Sequence, residues 1–291
     1  MGREAHLQGA DARVLADAVE DDDAARSLQS DVAGQAVDEL APVAKGPGVQ
    51  QVVPVEDVEH MAKDARPGAE RAYLRELSVR LRTLLGGELV GVYAGGSYAL
   101  GGYEAGRSDL DVAVVVRSAL RDGLGDRLVA TIPHEALPCP ARKLELVVYR
   151  EDAAHSRSVE PSFELNFNTG AREPFRAETE AQPGDGHWFA IDRTILAVRG
   201  IAPYEPAAGE VFVALSRADL LPLMAAGLRW YRREEPESED GLLNAGRALY
   251  FAREGVWTTK PAMRSWAKAA IASAGTKDEA LRRAIRELEQ A

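Results

Sequence analysis

The most constraining feature of the sequence is the junction between residues 89 and 97. The apolar run Leu89–Ala94 (LVGVYA) is too short for a helix and has the valine and tyrosine content of a buried strand. It leads directly into Gly95-Gly96-Ser97, and Tyr98–Leu100 begins a short helix. Glycines at such an exit let backbone approach a ligand closely. Free N–H groups at the helix start, with the Ser97 hydroxyl, can hold phosphate oxygens. The turn is not a Walker A loop, because no Gly-Lys-Ser/Thr follows, and it does not match the dinucleotide fingerprint G-x-G-x-x-G.

The flanking pattern predicts the rest of a small domain. Ala72, Leu74, Leu77, Leu81 and Leu84-Leu85 follow helical spacing, and Gly86-Gly87 ends that helix. Asp109–Val116 (DLDVAVVV) and Lys143–Tyr149 (KLELVVY) are further strands, with a loose helix over Ser118–Ile132 between them. After a passage expected to be loop (about 155–186), helices are expected over Trp188–Val198, Arg217–Arg232, Leu242–Arg253, Pro261–Ala272 and Lys277–Glu289. The fold class is therefore α+β. A small mixed-sheet domain over residues 61–155 is followed by an all-α helical-bundle domain over 156–291.

Residues 1–60 differ from the rest. They contain no Phe, Tyr or Trp, and their 13 acids against 4 bases carry most of the net charge of −11. Such a segment cannot build a core, and it is expected to be an acidic, disordered extension, with Met61 an alternative start for the folded protein. The near-neutral remainder lacks the basic stripe that duplex nucleic acid requires. It suits a cationic small-molecule partner. No apolar stretch is long enough to span a membrane, and no secretory signal opens the chain, so a cytoplasmic monomer is expected. The lone Cys139 excludes an internal disulfide framework, and His134, His155 and His187 lack metal-ligand spacing.

Chemistry concentrates on three carboxylates. Asp109 and Asp111 stand two apart, so their side chains leave one face of a strand. Two like charges there repel unless a cation intervenes, and a hard ion such as Mg²⁺ is the usual solution. Taken alone, the pair is more often an exposed strand start with two solvated acids. Glu145 lies between Leu144 and Leu146, where burial of an unpaired carboxylate costs several kcal/mol. On a neighbouring strand it could be a third metal ligand or a general base. An edge strand with Glu145 facing water remains the alternative.

Gly96-Ser97, eleven residues, then Asp109-Leu110-Asp111, with Gly101 or Gly102 between, resembles the signature of the polymerase-β-like nucleotidyltransferase superfamily. Leu243–Leu249 (LNAGRAL), Gly255–Lys260 (GVWTTK) and Trp266-Ala267 resemble the helical domain of streptomycin/spectinomycin 3''-adenylyltransferases, and the similarity covers roughly residues 65–275. The resemblance implies AMP transfer from ATP to a hydroxyl of an aminoglycoside, with pyrophosphate released. It implies that Asp109, Asp111 and Glu145 hold Mg²⁺ with Glu145 as base, and that Gly96, Ser97, Arg247 and Lys260 bind the nucleotide. Glu237, Glu239 and Asp240, around the start of the Arg247 helix, would present negative charge to the drug, with a solvated acidic loop as the equal alternative. Phe163–Gly170 lacks the tryptophan that the family carries in this passage, and Trp188 lies far along the chain from it. A non-catalytic, antitoxin-like or regulatory protein of the same fold, or transfer to another acceptor, are the competing expectations.

Overall fold

Among the described residues five strands form one mixed sheet, and the alternation of side chains along them decides which face is core and which is cleft. The computed structural model describes residues 68–121, 123–182, 186–204 and 206–291. The acidic extension and the candidate start at Met61 lie outside the described residues.

The N-terminal elements are α1 (Gly68–Leu85), β1 (Leu89–Ala94), α2 (Gly96–Leu100), β2 (Leu110–Val116), α3 (Leu124–Thr131), β3 (Leu144–Arg150), α4 (Glu151–Ala154), β4 (Leu165–Gly170) and β5 (Glu173–Glu178). The sheet order is β1-β2-β3-β4-β5. All neighbours are antiparallel except β2 and β3, whose parallel pairing requires the crossover through α3. Leu110, Val112, Val114, Leu144, Leu146, Val148, Leu165 and Phe167 fill the rear face, packed against Leu74, Leu77 and Leu81 of α1 and Leu128 of α3. The residues between them therefore point forward.

The helical half comprises α5 (Gly186–Arg199), α6 (Ala208–Val211), α7 (Arg217–Glu234), α8 (Glu239–Glu254), α9 (Arg264–Ala274) and α10 (Lys277–Gln290). Side-chain caps begin three of these helices: Ser216, Ser238 and Thr276 accept from Asp219, Asp240 and Glu279 backbone N–H groups respectively. Leu220, Leu228, Leu242, Leu249, Leu281 and Ile285 form the bundle core. Helix α5 joins the two halves. Phe189 and Leu196 pack with Tyr93, Tyr149 and Phe212 against the front of the sheet, while Ala190 enters the bundle core. Just beyond α5, Ile201 exchanges both backbone hydrogen bonds with Ala94 (2.8 and 2.9 Å), which fixes the helix to β1. Among the described residues no helix is long and apolar enough to cross a membrane.

Three expectations change. The passage 155–186 holds β4 and β5, so the sheet continues past residue 155 to Glu178. In β4 the period-two pattern was present, with Leu165 and Phe167 inward, but its outward partners Asn166 and Asn168 are residues typical of turns. The helix expected from Ser118 begins only at Leu124, after Gly123, and Pro261–Met263 is a 3-10 turn preceding α9.

Candidate active site

Odd-numbered residues of β2 and β3 face forward, and the register sets Asp111 directly beside Glu145 and Ala113 beside Val147. Glu145 in turn pairs with Asn168 of β4. Asp109, one residue before β2, stays on the same side. The three predicted carboxylates therefore share one wall of a cleft of about 960 Å³, together with Gly95, Gly96 and Ser97.

The turn and the acids are built against each other. Gly95 donates its N–H to the Asp111 carbonyl (2.8 Å), so the entry to α2 is tied to β2. Gly96 has φ +49°, and a Cβ there would lie 2.5 Å from Asp111 Cγ and nearer still to its Oδ2. Only glycine lets the turn lie against this carboxylate. The Ser97 Oγ is buried and has no hydrogen-bond partner in the described structure. A hydroxyl left in that state costs stability unless a ligand meets it.

Cations neutralise two of the acids. Arg142 forks onto Asp109, with Nε at 2.8 Å from Oδ1 and Nη2 at 2.6 Å from Oδ2. Lys143 Nζ lies 2.6 Å from Glu145 Oε1 and 3.9 Å from Asp109 Oδ2. Burial alone would lower the Lys143 pKa, but Glu145, through its charge and hydrogen bond, and Asp109 outweigh it and hold the amine above its ordinary value. Among the described residues no cation forms an ion pair with Asp111. Burial first, then the charges of Glu145 and Asp192, hold its carboxyl well above the usual range.

The opposite wall comes from three helices, each presenting residues at i, i+3, i+4 and i+7. Helix α5 supplies Trp188, Ile191, Asp192 and Ile195; α7 supplies Met224, Gly227, Leu228 and Tyr231; α8 supplies Asp240, Leu243, Asn244 and Arg247. Trp230 joins them and packs edge-on against Trp188 and Tyr231 (centroids 5.8 and 5.2 Å). Arg247 is oriented by its own helix and the loop after it: Nε donates to the Thr258 carbonyl (2.9 Å) and Nη1 to Asn244 Oδ1 (3.0 Å). Burial lowers its pKa, while the charges of Asp192 and Asp111 oppose that shift.

The remaining predicted residues are dispersed. Lys260 lines the cleft but is paired with Asp240 (2.9 Å), so a residue expected at the phosphates and one expected at the acceptor hold each other. Glu237 does not line the cleft. Its side chain is 95% exposed and approaches only Lys277. Asp192 escaped the sequence reading. It faces the open cleft from α5, and burial together with the charge of Glu145 pushes its carboxyl up to about 7 against the opposing pull of Arg247. Its one sequence signal is an acid on an otherwise apolar helical stripe. Trp188, far from the expected tryptophan position in sequence, also lines the cleft.

The donor chemistry fits a hard divalent cation: three carboxylates on one wall, with Asp111 crowded by like charge. Among the described residues, however, no three acidic, histidine or cysteine side chains converge closely enough to chelate an ion as they stand. Asp109 and Glu145 are turned to Arg142 and Lys143 instead.

This arrangement coincides with a family match. Residues 74–165, which contain the turn and all three carboxylates, match the model of the nucleotidyltransferase domain family. Over those residues the chain is similar to nucleotidyltransferase domains. Beyond this match, the fold is similar to the crystal structure of spectinomycin adenyltransferase AAD(9) from Enterococcus faecialis, solved with ATP and spectinomycin. The TM-score is 0.54 at 15% identity, over 76% of this chain and 98% of that one. That likeness takes in the helical half that follows the matched residues. No curated protein matches the sequence.

Proposed function

We propose that this protein transfers AMP from ATP to a hydroxyl group of a cationic small molecule, an aminoglycoside antibiotic, with release of pyrophosphate. The observation that carries this reading is the meeting of Asp109, Asp111 and Glu145 with the Gly96-Ser97 turn on one wall of a cleft, opposite Arg247. Ser97 Oγ and the first amides of α2 receive phosphate oxygens. Arg247, held by Asn244 and the Thr258 carbonyl, faces the charge that develops on the departing pyrophosphate, and Lys260, from the same cleft, joins it on leaving Asp240. Glu145 takes the proton from the acceptor hydroxyl as its oxygen bonds to the α-phosphorus and the α–β phosphoanhydride breaks. The helical wall keeps water from competing for the nucleotidyl group.

Asp109, Asp111 and Glu145 are the residues that would hold Mg²⁺. Bound there, the ion would screen the triphosphate and polarise the phosphoryl group under attack. Arg142 is half-exposed and can leave Asp109 when a stronger cation competes for it.

The test is pyrophosphate release from ATP and Mg²⁺ across an aminoglycoside panel. Asp109→Ala and Asp111→Ala should each lower turnover by about a thousandfold or more while the fold survives. Retained transfer by the Asp111 variant would break the assignment. One other reading draws on a specific observation, the pairing of Arg142 with Asp109 and Lys143 with Glu145: a regulatory protein whose acids are neutralised internally. Nucleotide binding without turnover on any acceptor would favour it.

A further inference from the structure

Among the acids around the start of α8, Glu235 and Glu239 line the cleft as exposed residues. Glu237 points away from the cleft, and Asp240 is committed to Lys260. On the sheet wall, Asp109 and Glu145 are paired with Arg142 and Lys143, and Asp111 lies under the glycine turn. Asp192 is different. Its side chain opens onto the cleft, whose walls surround and partly desolvate it, and it makes no hydrogen bond or ion pair with another described residue.

Its neighbours define what it can accept. Along α5 it is flanked by Trp188 and Ile191, which offer an apolar and aromatic surface to a ring, with the buried Ile195 beneath. Across the cleft it lies within electrostatic reach of Glu145, whose charge repels it, and of Arg247, whose charge attracts it. Two carboxylates facing one space, without a hydrogen bond to Asp192, favour a cation between them. An ammonium group would satisfy Asp192 while an adjacent hydroxyl reached Glu145. An apolar surface beside the carboxylate strengthens such a contact by excluding water.

We propose that Asp192 is the specificity-determining residue for the acceptor: its carboxylate receives an ammonium group carried close to the hydroxyl that Glu145 deprotonates. This assignment rests on the adenylyl-transfer reading above and adds the residue and the chemical feature that select the substrate.

Spectinomycin and its N-acetylated, uncharged derivative are suitable probes, titrated calorimetrically against the full chain, with ATP titrated separately. The wild-type chain should bind the amine more tightly than its acetylated form. Asp192→Asn should weaken spectinomycin binding by about tenfold or more, the scale of a lost charge-assisted hydrogen bond. The same substitution should largely remove the preference for the charged form while ATP affinity stays within about twofold. Asp192→Glu, which keeps the charge, should restore part of the loss. If wild type binds spectinomycin and Asp192→Asn binds it equally, the assignment to Asp192 is overturned and the transfer reading stands. Equal losses for spectinomycin and ATP would also overturn it, by revealing a merely structural role. If the wild-type chain binds ATP but neither spectinomycin nor any other aminoglycoside, the acceptor reading fails and this inference fails with it.

Discussion

Replacing Gly96 with alanine should damage both stability and the site, and the structure gives the size of each part. The residue sits at φ +49°, a left-handed conformation that costs an L side chain about 1–2 kcal/mol. The added methyl would also meet the Asp111 side chain, at 2.5 Å from Cγ and 3.1 Å from Cβ, an overpacking of about 1–3 kcal/mol. Together these give a loss of about 2–5 kcal/mol, read in urea as a lower midpoint at unchanged slope. The steric part depends on the carboxylate. In an Asp111→Ala background the collision with Cγ and Oδ2 vanishes, leaving only the backbone strain and the tight Cβ contact. A double-mutant cycle should therefore show a coupling of about 1 kcal/mol or more, with Gly96→Ala less costly once Asp111 is truncated. If the two changes add to within about 0.5 kcal/mol, the turn is not packed on that carboxylate, and the account of why glycine is required there is refuted.

Two further outcomes follow from groups near the cleft. The buried Arg193 on α5 donates to the carbonyls of Ala153 and Ser158 (2.5 Å each), so Arg193→Met should strand those acceptors and cost about 2–4 kcal/mol in urea unfolding; a loss below about 1 kcal/mol would contradict that role. Asp192 titrates at about 7 in the folded chain against an ordinary 3.8, so the folded state holds this proton more tightly than the unfolded state. The resulting stability is full below about pH 4 and is lost as pH rises through 7. Asp192→Asn should remove that slope, making the variant more stable than wild type at pH 8 by about 1 kcal/mol after discounting for solvent in the cleft. Parallel stability curves between pH 5 and 8 would refute the shift.

Local signals in the sequence reached far into the fold. The run Leu89–Ala94 was apolar, short and closed by glycines, so its strand bounds were fixed before any tertiary contact was considered. The stripe of α1 and the helices α7 and α10 were equally visible, because helical spacing is a local property. Strand β4 was not, because its inward apolar residues are only Leu165 and Phe167, joined by Thr169, and two of the residues between are asparagines; the sheet on either side, not intrinsic propensity, makes it a strand.

The site divides along the same line. Sequence alone determined that Asp109 and Asp111 share a face, because strand geometry has a period of two, and that Gly96-Ser97 forms a turn beside a helix start. It could not determine the register that places Glu145 next to Asp111, since the parallel pairing of β2 and β3 is set by packing of the whole rear face. Nor could it reveal that Asp240 would be spent on Lys260, that Glu237 would face solvent, or that Asp192 would enter the cleft. Those outcomes depend on the rotation and placement of α5 and α8 against the sheet. Period along one element is written in the chain, whereas which charges meet across a cleft is decided only when separately folded elements dock.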